Sequence, residues 1–229
     1  PVRPPLSVFA YNMSAAAPAA ADATLAGTFV KALKAKNVDD ALRTFGELRA
    51  ASVMPDARSL AALCNLCALN RKNEQACEAY ALGASVHGAQ ALVGFGLNLN
   101  ALVYACCREP AKLLGQAMDA WRTMAEVGAK PDTEPVNKLI LANITQAAHE
   151  DAFAVFLGAL DGGIQPSEGA CTALVGTCGA DASLGQSAFA VFLVMRNGGL
   201  PLPPHEGGAL VRACLGGGTL DQAVQVFEA

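Results

Sequence analysis

Charge is scarce in this chain. Only 16% of its 229 residues are Asp, Glu, Lys or Arg, against about a quarter in an average soluble domain. Net charge is −4, with a pI near 5.4, so nothing attracts the whole chain to a polyanion or an anionic lipid surface. Positive charge is scarcest toward the end. Residues 139–229 hold 2 Lys and Arg against 8 Asp and Glu, whereas residues 1–138 hold 14 against 12. Catalytic signatures are missing as well. His87, His149 and His205 are scattered and form no His-Glu-x2-His unit. No Gly-rich loop ends in Gly-Lys-Ser/Thr, and no Ser/His/Asp or Cys/His set suggests a nucleophile. These absences predict a protein that is not an enzyme and takes no cofactor. The longest uncharged run, Ala79–Cys107, contains His87, Gln90, Asn98, Asn100 and four glycines, which disfavours a membrane span. No secretory signal is visible, so disulfides are not expected. The chain does not begin with Met and stops inside a helical pattern at Val226–Ala229; a piece of a longer protein is expected.

What the sequence has is repetition. Ala-Phe-Ala-Val-Phe-Leu occurs at Ala152–Leu157 and again at Ala188–Leu193. An alanine followed four residues on by an aromatic recurs at Ala41/Phe45, Ala76/Tyr80, Ala117/Trp121, Ala152/Phe156, Ala188/Phe192 and Ala223/Phe227, at spacings of 35, 41, 35, 36 and 35. Such a period marks stacked structural units. The fold expected is all-α: an α-solenoid of six helix-turn-helix repeats of about 35 residues. Residues 1–22, with the Ala/Pro run Ala15–Ala21, read as an extended lead-in. The array occupies residues 23–229, in units near 23–56, 57–95, 96–132, 133–167, 168–203 and 204–229.

Each first helix carries an apolar pair: Phe29-Val30, Leu63-Cys64, Leu102-Val103, Leu139-Ile140, Leu174-Val175 and Leu210-Val211. Each second helix carries the alanine and the aromatic on one face. Second helices often open on acids, at Asp39-Asp40, Glu150-Asp151 and Asp221, where the helix dipole favours negative charge. Several close on Gly and Pro, as at Gly128–Pro131, Gly163–Pro166 and Gly199–Pro201, residues that cap and stop a helix. The second unit lacks this ending, and an insertion near residues 85–95 stretches its spacing to 41. Insertions in solenoids bulge from one face and can bind partners; a longer helix and loop is the plain alternative. Cys64-x2-Cys67 raises a zinc reading. A packing role fits better, since Cys67, Cys106, Cys178 and Cys214 recur at one place in four units, where a small buried residue is needed.

The period, the paired helices and the junction Pro131-Asp132-Thr133-Glu134-Pro135-Val136-Asn137-Lys138-Leu139-Ile140 together resemble the pentatricopeptide repeat family. Tetratricopeptide repeats share the Ala/aromatic pair and a period near 34, but their Leu-Gly and following Tyr are missing from these first helices. The resemblance implies recognition of single-stranded RNA, one base per unit, by two or three side chains. One reader lies two residues before the apolar pair and the other ends the unit. This pattern gives Asn100 with Asp132, Asn137 with Ser167, and Thr172 with a partner near Leu202 or Pro203. Asn presents both a donor and an acceptor to a pyrimidine edge. Gly27 with Asp56, Ala61 and Gly208 depart from the pattern, which leaves too few readers to specify a unique site. Asn100 and Asn137 could instead cap or solvate a helix turn. Lys31, Lys34 and Lys138 lie on first helices, where they would meet phosphate or simply form a solvated charged face.

Two functions follow. The resemblance implies an RNA-binding protein of a chloroplast or mitochondrion, acting in RNA processing, stabilisation or translation. The alternative is a scaffold subunit of a large organellar assembly such as a ribosome. It would contact ribosomal RNA or other protein subunits through the apolar, acidic C-terminal half.

Overall fold

The computed structural model describes residues 20–178, 185–202 and 204–228. The described residues are helical, with no strand among them. Thirteen helices follow one another: α1 (Ala20–Lys34), α2 (Val38–Ala50), α3 (Ala57–Leu69), α4 (Asn73–His87), α5 (Ala89–Gly94), α6 (Leu99–Cys106), α7 (Pro110–Val127), α8 (Thr133–Thr145), α9 (His149–Asp161), α10 (Glu168–Cys178), α11 (Gly185–Asn197), α12 (Pro204–Gly216) and α13 (Leu220–Phe227). The lead-in expected over residues 1–22 falls mostly on residues 1–19, outside those described.

The chain divides into two compact units, Pro1–Pro55 and Asp56–Ala229. In the first, α1 and α2 form a hairpin. Phe29 of α1 stacks on Phe45 of α2 with ring centroids 6.0 Å apart and planes 25° from parallel, an offset arrangement that aromatic pairs favour. Asn37 caps α2 by accepting from the Asp40 N–H at 3.2 Å.

The second unit is an α-solenoid of five helix pairs: α3/α4, α6/α7, α8/α9, α10/α11 and α12/α13. The first helices stack in series, α3 on α6, α6 on α8, α8 on α10 and α10 on α12. Each second helix packs on its own first helix and on the first helix of the next pair. Alanine makes the close approach possible. Ala41 in the first unit and Ala76, Ala117, Ala152, Ala188 and Ala223 in the second are all buried. The aromatics beside them follow with two exceptions. Phe45, Tyr80, Phe156 and Phe192 are buried. Trp121 is half-buried, with its ring edge against Gly158 of α9, where a Cβ would stand 3.3 Å from the indole. Phe227 of α13 is 81% exposed.

The buried polar groups of this stack bridge neighbouring pairs. The Tyr80 and Thr123 hydroxyls share a hydrogen bond of 2.8 Å between α4 and α7. Asn143, fully buried on α8, stands where the other pairs carry Cys67, Cys106 and Cys214. Its amide donates to the Leu139 carbonyl at 2.9 Å. Cys64 and Cys67 are both buried. Burial pushes the Cys64 thiol well up and the Cys67 thiol to about 11, the behaviour of packing residues rather than reactive ones. Among the described residues no three His, Cys, Asp or Glu side chains gather as metal ligands would. The side chain of Cys178 lies outside the description. No helix is long and apolar enough to cross a membrane, among the described residues.

The helix ends bear out the glycine reading at Gly128, Gly163 and Gly199, which adopt φ of +67°, +73° and +64°. Residues with side chains take the same conformation elsewhere: Lys36, Ser52, Arg71 and Ala147, at φ of +54° to +59°. That geometry costs an L-residue roughly 1–2 kcal/mol. Ala147 gains nothing from its methyl in return, being exposed between α8 and α9. Ala147→Gly therefore stabilises the chain, by about 0.5–1 kcal/mol after the extra chain entropy of glycine is counted. A rise in the midpoint of denaturant unfolding at unchanged slope is the expected result.

Candidate nucleic-acid interface

The first helices of the second unit are joined to one another by asparagine side chains. Asn100 on α6 accepts at Oδ1 from the Asp132 N–H at 2.9 Å. Its Nδ2 donates to the Lys130 carbonyl at 3.1 Å. One side chain thus grips the turn that opens α8. Asn137 on α8 does the same for the turn before α10, accepting from the Ser167 N–H at 2.9 Å. Ser167 in turn caps α10, its Oγ accepting from the Ala170 N–H at 3.3 Å.

The two residue pairs singled out in the sequence therefore meet. They meet through the backbone: the Asp132 N–H, not its carboxylate, holds the Asn100 amide. Neither asparagine caps its own helix, since the N-caps are Asn98 for α6 and Asp132 for α8. An Asn amide has two hydrogens and two lone pairs. After these bonds Asn100 retains one of each, and Asn137 retains both hydrogens and one lone pair. Each amide is held in a fixed plane with hydrogen-bonding capacity left over.

A third member of the series escaped the sequence pattern. Asn65 on α3 accepts from the Asn98 N–H at 2.9 Å and donates to the Gly96 carbonyl at 2.8 Å. It grips the turn opening α6 as Asn100 grips the turn opening α8. Counting from the apolar pair points instead to Ala61, which is 1% exposed and faces the core. Asn65 lies four residues later, one helical turn along. The insertion between α4 and α6 places the next turn opposite Asn65 rather than opposite Ala61. An asparagine one turn out of register, ahead of an insertion, was the available signal.

The other expected residues are more dispersed. Thr172 is half-buried on α10; of its two candidate partners, Leu202 is half-buried and Pro203 lies outside the described residues. Lys31 and Lys34 are exposed in the last turn of α1, within the first unit. Lys138 is exposed on α8 and close enough to Cys107 on α6 to matter electrostatically. Burial pushes the Cys107 thiol up to about 12, and the Lys138 charge opposes the rise.

Charge is sorted between the two helix layers at this end of the second unit. Residues 57–72 and 88–108, which form α3, α5, α6 and their closing turns, contain Arg58, Arg71, Lys72 and Arg108 and no acid. The second helices carry the acids: Glu74 and Glu78 on α4, Asp119 and Glu126 on α7. Cations on that layer are held in local ion pairs, Lys112 with Glu74 at 3.1 Å and Arg122 with Asp119 at 3.0 Å.

Each asparagine bond between neighbouring helix pairs is partly exposed and contributes on the order of 1 kcal/mol. Asn65→Ala and Asn100→Ala each remove two such bonds. Each variant should lose about 1–2 kcal/mol in chemical denaturation, and the far-UV circular dichroism at 20 °C (roughly room temperature, well inside the usual stability range) should remain helical.

No protein-family model matches this sequence, and no curated protein matches it. Among solved structures the chain is similar to the pentatricopeptide repeat protein PPR10. Against a crystal structure of PPR10 from maize the identity is 16%, with 90% of this chain and 33% of that chain covered, at a TM-score of 0.39. Against PPR10 in complex with an 18-nt psaJ RNA element the identity is 18%, with 90% and 28% covered, at a TM-score of 0.36. A Cys-substituted form of that complex gives the same figures. The chain thus spans a third or less of the chains it matches, and at these scores the likeness assigns no function.

Proposed function

We propose that this chain is a non-catalytic helical-repeat protein that binds single-stranded RNA along the first-helix layer of its second unit. One observation carries the reading. Three successive first helices hold an asparagine amide rigidly at the joint with the next pair, each with hydrogen-bonding capacity to spare. Regular spacing of fixed amides suits a ligand that is itself a regular chain of hydrogen-bonding units. The acid-free segments around Asn65 and Asn100, with Arg58, Arg71, Lys72 and Arg108, supply the charge that phosphates need. Asn100 beside Asp132 and Asn137 beside Ser167 would contact bases; Thr172 is a further candidate. Lys138, and Lys31 and Lys34 on the first unit, would contact phosphate. Action in a chloroplast or mitochondrion, in RNA processing, stabilisation or translation, belongs to the same proposal.

A second reading has its own observation. Leu215, Leu220, Val224 and Phe227 are large apolar side chains left exposed on α12 and α13, in the acidic half of the chain. Such a surface suits a protein contact, as in a scaffold subunit of an organellar assembly.

Binding of short single-stranded RNAs across a salt series separates the two. The first reading requires binding that weakens with salt, with a log–log slope counting the phosphates touched. Asn100→Asp keeps an acceptor for the Asp132 N–H but removes the donor hydrogens. It should change base preference at one position, at a cost of about 1–3 kcal/mol for the preferred base, by analogy with DNA readout. Absence of binding even at low salt would sink the RNA reading and leave the scaffold.

A further inference from the structure

The second pair lacks a polar reader at Ala61, yet its insertion is not a slack loop. Gly88, at φ +83°, ends α4 and starts α5. Leu92 of α5 is buried against Gly83 of α4, where a Cβ would stand 2.9 Å from the leucine methyls. A side chain at Gly83 would lift α5 off its seat. Phe95 follows as the C-cap of α5, and the next two turns of backbone are pinned by Asn65 at Gly96 and Asn98. Phe95 is therefore anchored on both sides in sequence, and it is still 49% exposed. A half-exposed phenyl ring held in this way calls for an explanation.

Arg58, at the start of α3, places its guanidinium 5.3 Å from the Phe95 ring centroid. The arrangement is repeated on the next first helix. Arg108 lies 5.0 Å over the half-buried ring of Tyr104, one turn earlier on α6. α3 packs against both α5 and α6, so the two arginine–aromatic pairs belong to one layer. Both pairs fall in the acid-free segments 57–72 and 88–108, which Asp56 and Glu109 flank. Exposed rings interleaved with cations are what strands of nucleic acid need: every base has a flat face to stack, and every linkage has a negative charge. An arginine plane adds a second stacking surface beside the ring. A protein partner would more often meet an apolar patch with charges at its rim, and here the cations sit on the rings themselves.

We propose that Phe95 with Arg58 and Tyr104 with Arg108 form a stacking platform for two nucleobases of single-stranded RNA, beside the insertion that follows α4. The proposal rests on the RNA reading above and adds a sequence-tolerant site to it. Stacking secures the strand whatever its sequence, and the asparagines downstream discriminate.

The test uses the full chain, a dye-labelled 12-nt single-stranded RNA of mixed sequence (about the span of a few repeats at one base each), and the same RNA with abasic residues throughout one half. A Phe95→Ala/Tyr104→Ala variant is measured beside the parent by fluorescence anisotropy across a salt series. Both rings are partly exposed, and the fold of the variant is checked by circular dichroism and melting. Affinity should fall roughly ten-fold per ring with the salt slope unchanged, because no charge has been removed. The parent should prefer the intact RNA, and that preference should narrow in the variant, where only the asparagines still meet bases. Phe95→Trp should restore binding and show fluorescence quenching on addition of RNA, which a purely structural ring would not. If the variant binds like the parent, or the parent binds abasic and intact RNA alike, the platform is wrong while the RNA reading stands. A fall in salt slope would also overturn it, since the rings would then act only by placing the arginines. If the parent binds no RNA at low salt, the RNA reading fails and the platform with it.

Discussion

Close approach of helices at alanine is the constraint on which this structure depends. At each second helix a methyl group stands where most residues would place three or more heavy atoms. The neighbouring helix comes in over it, and the aromatic four residues on fills the space left beside the contact. A larger side chain at Ala76, Ala117, Ala152 or Ala188 would separate two helix pairs rather than disturb one. Because each second helix also packs on the next first helix, that separation would pass along the second unit as a change in spacing between first helices. The spacing of Asn65, Asn100 and Asn137 is thus set at a distance, by alanines on the opposite layer.

The two layers differ in charge around α3 to α7. Acids and local ion pairs on α4 and α7 keep an otherwise apolar surface in water, and exposed pairs of that kind add little to stability. Cations on α3 and α6 are left facing aromatic rings. With so few charges in the chain, their placement matters more than their sum. The overall charge of −4 says nothing about the sign at any one place, and the segments 57–72 and 88–108 are basic within an acidic protein.

Much of the fold was legible because it is written several times. One Ala/aromatic pair is a weak signal, but six in register mark the second helices. The glycines at 128, 163 and 199 mark three of their ends through the one conformation that glycine adopts freely. What was not legible has local causes. Ser52 and Ala147 take the left-handed conformation without glycine, so their turns leave no trace in composition. Asn143 interrupts a column of cysteines, and no period reveals that an amide can occupy that place by bonding back to Leu139. The meeting of Asn100 with Asp132 and of Asn137 with Ser167 was legible where the period held. The pattern failed at Ala61, where the insertion that stretches the spacing to 41 carried the next turn one step along α3. The arginine–aromatic pairs escaped for a different reason: Arg58 and Phe95 are 37 positions apart, and only packing brings them together.

The asparagine joints carry a consequence for how the second unit comes apart. Each side chain belongs to one helix pair and satisfies backbone groups at the start of the next, so the pairs from α3 to α10 cannot separate without stripping a partner from a neighbour. Stability then resides in the junctions as much as in the pairs, as in a one-dimensional chain of coupled elements. A strand lying along those junctions would engage amides that already hold neighbours together. Occupancy of the layer and stiffness of the array are then thermodynamically linked, each raising the other.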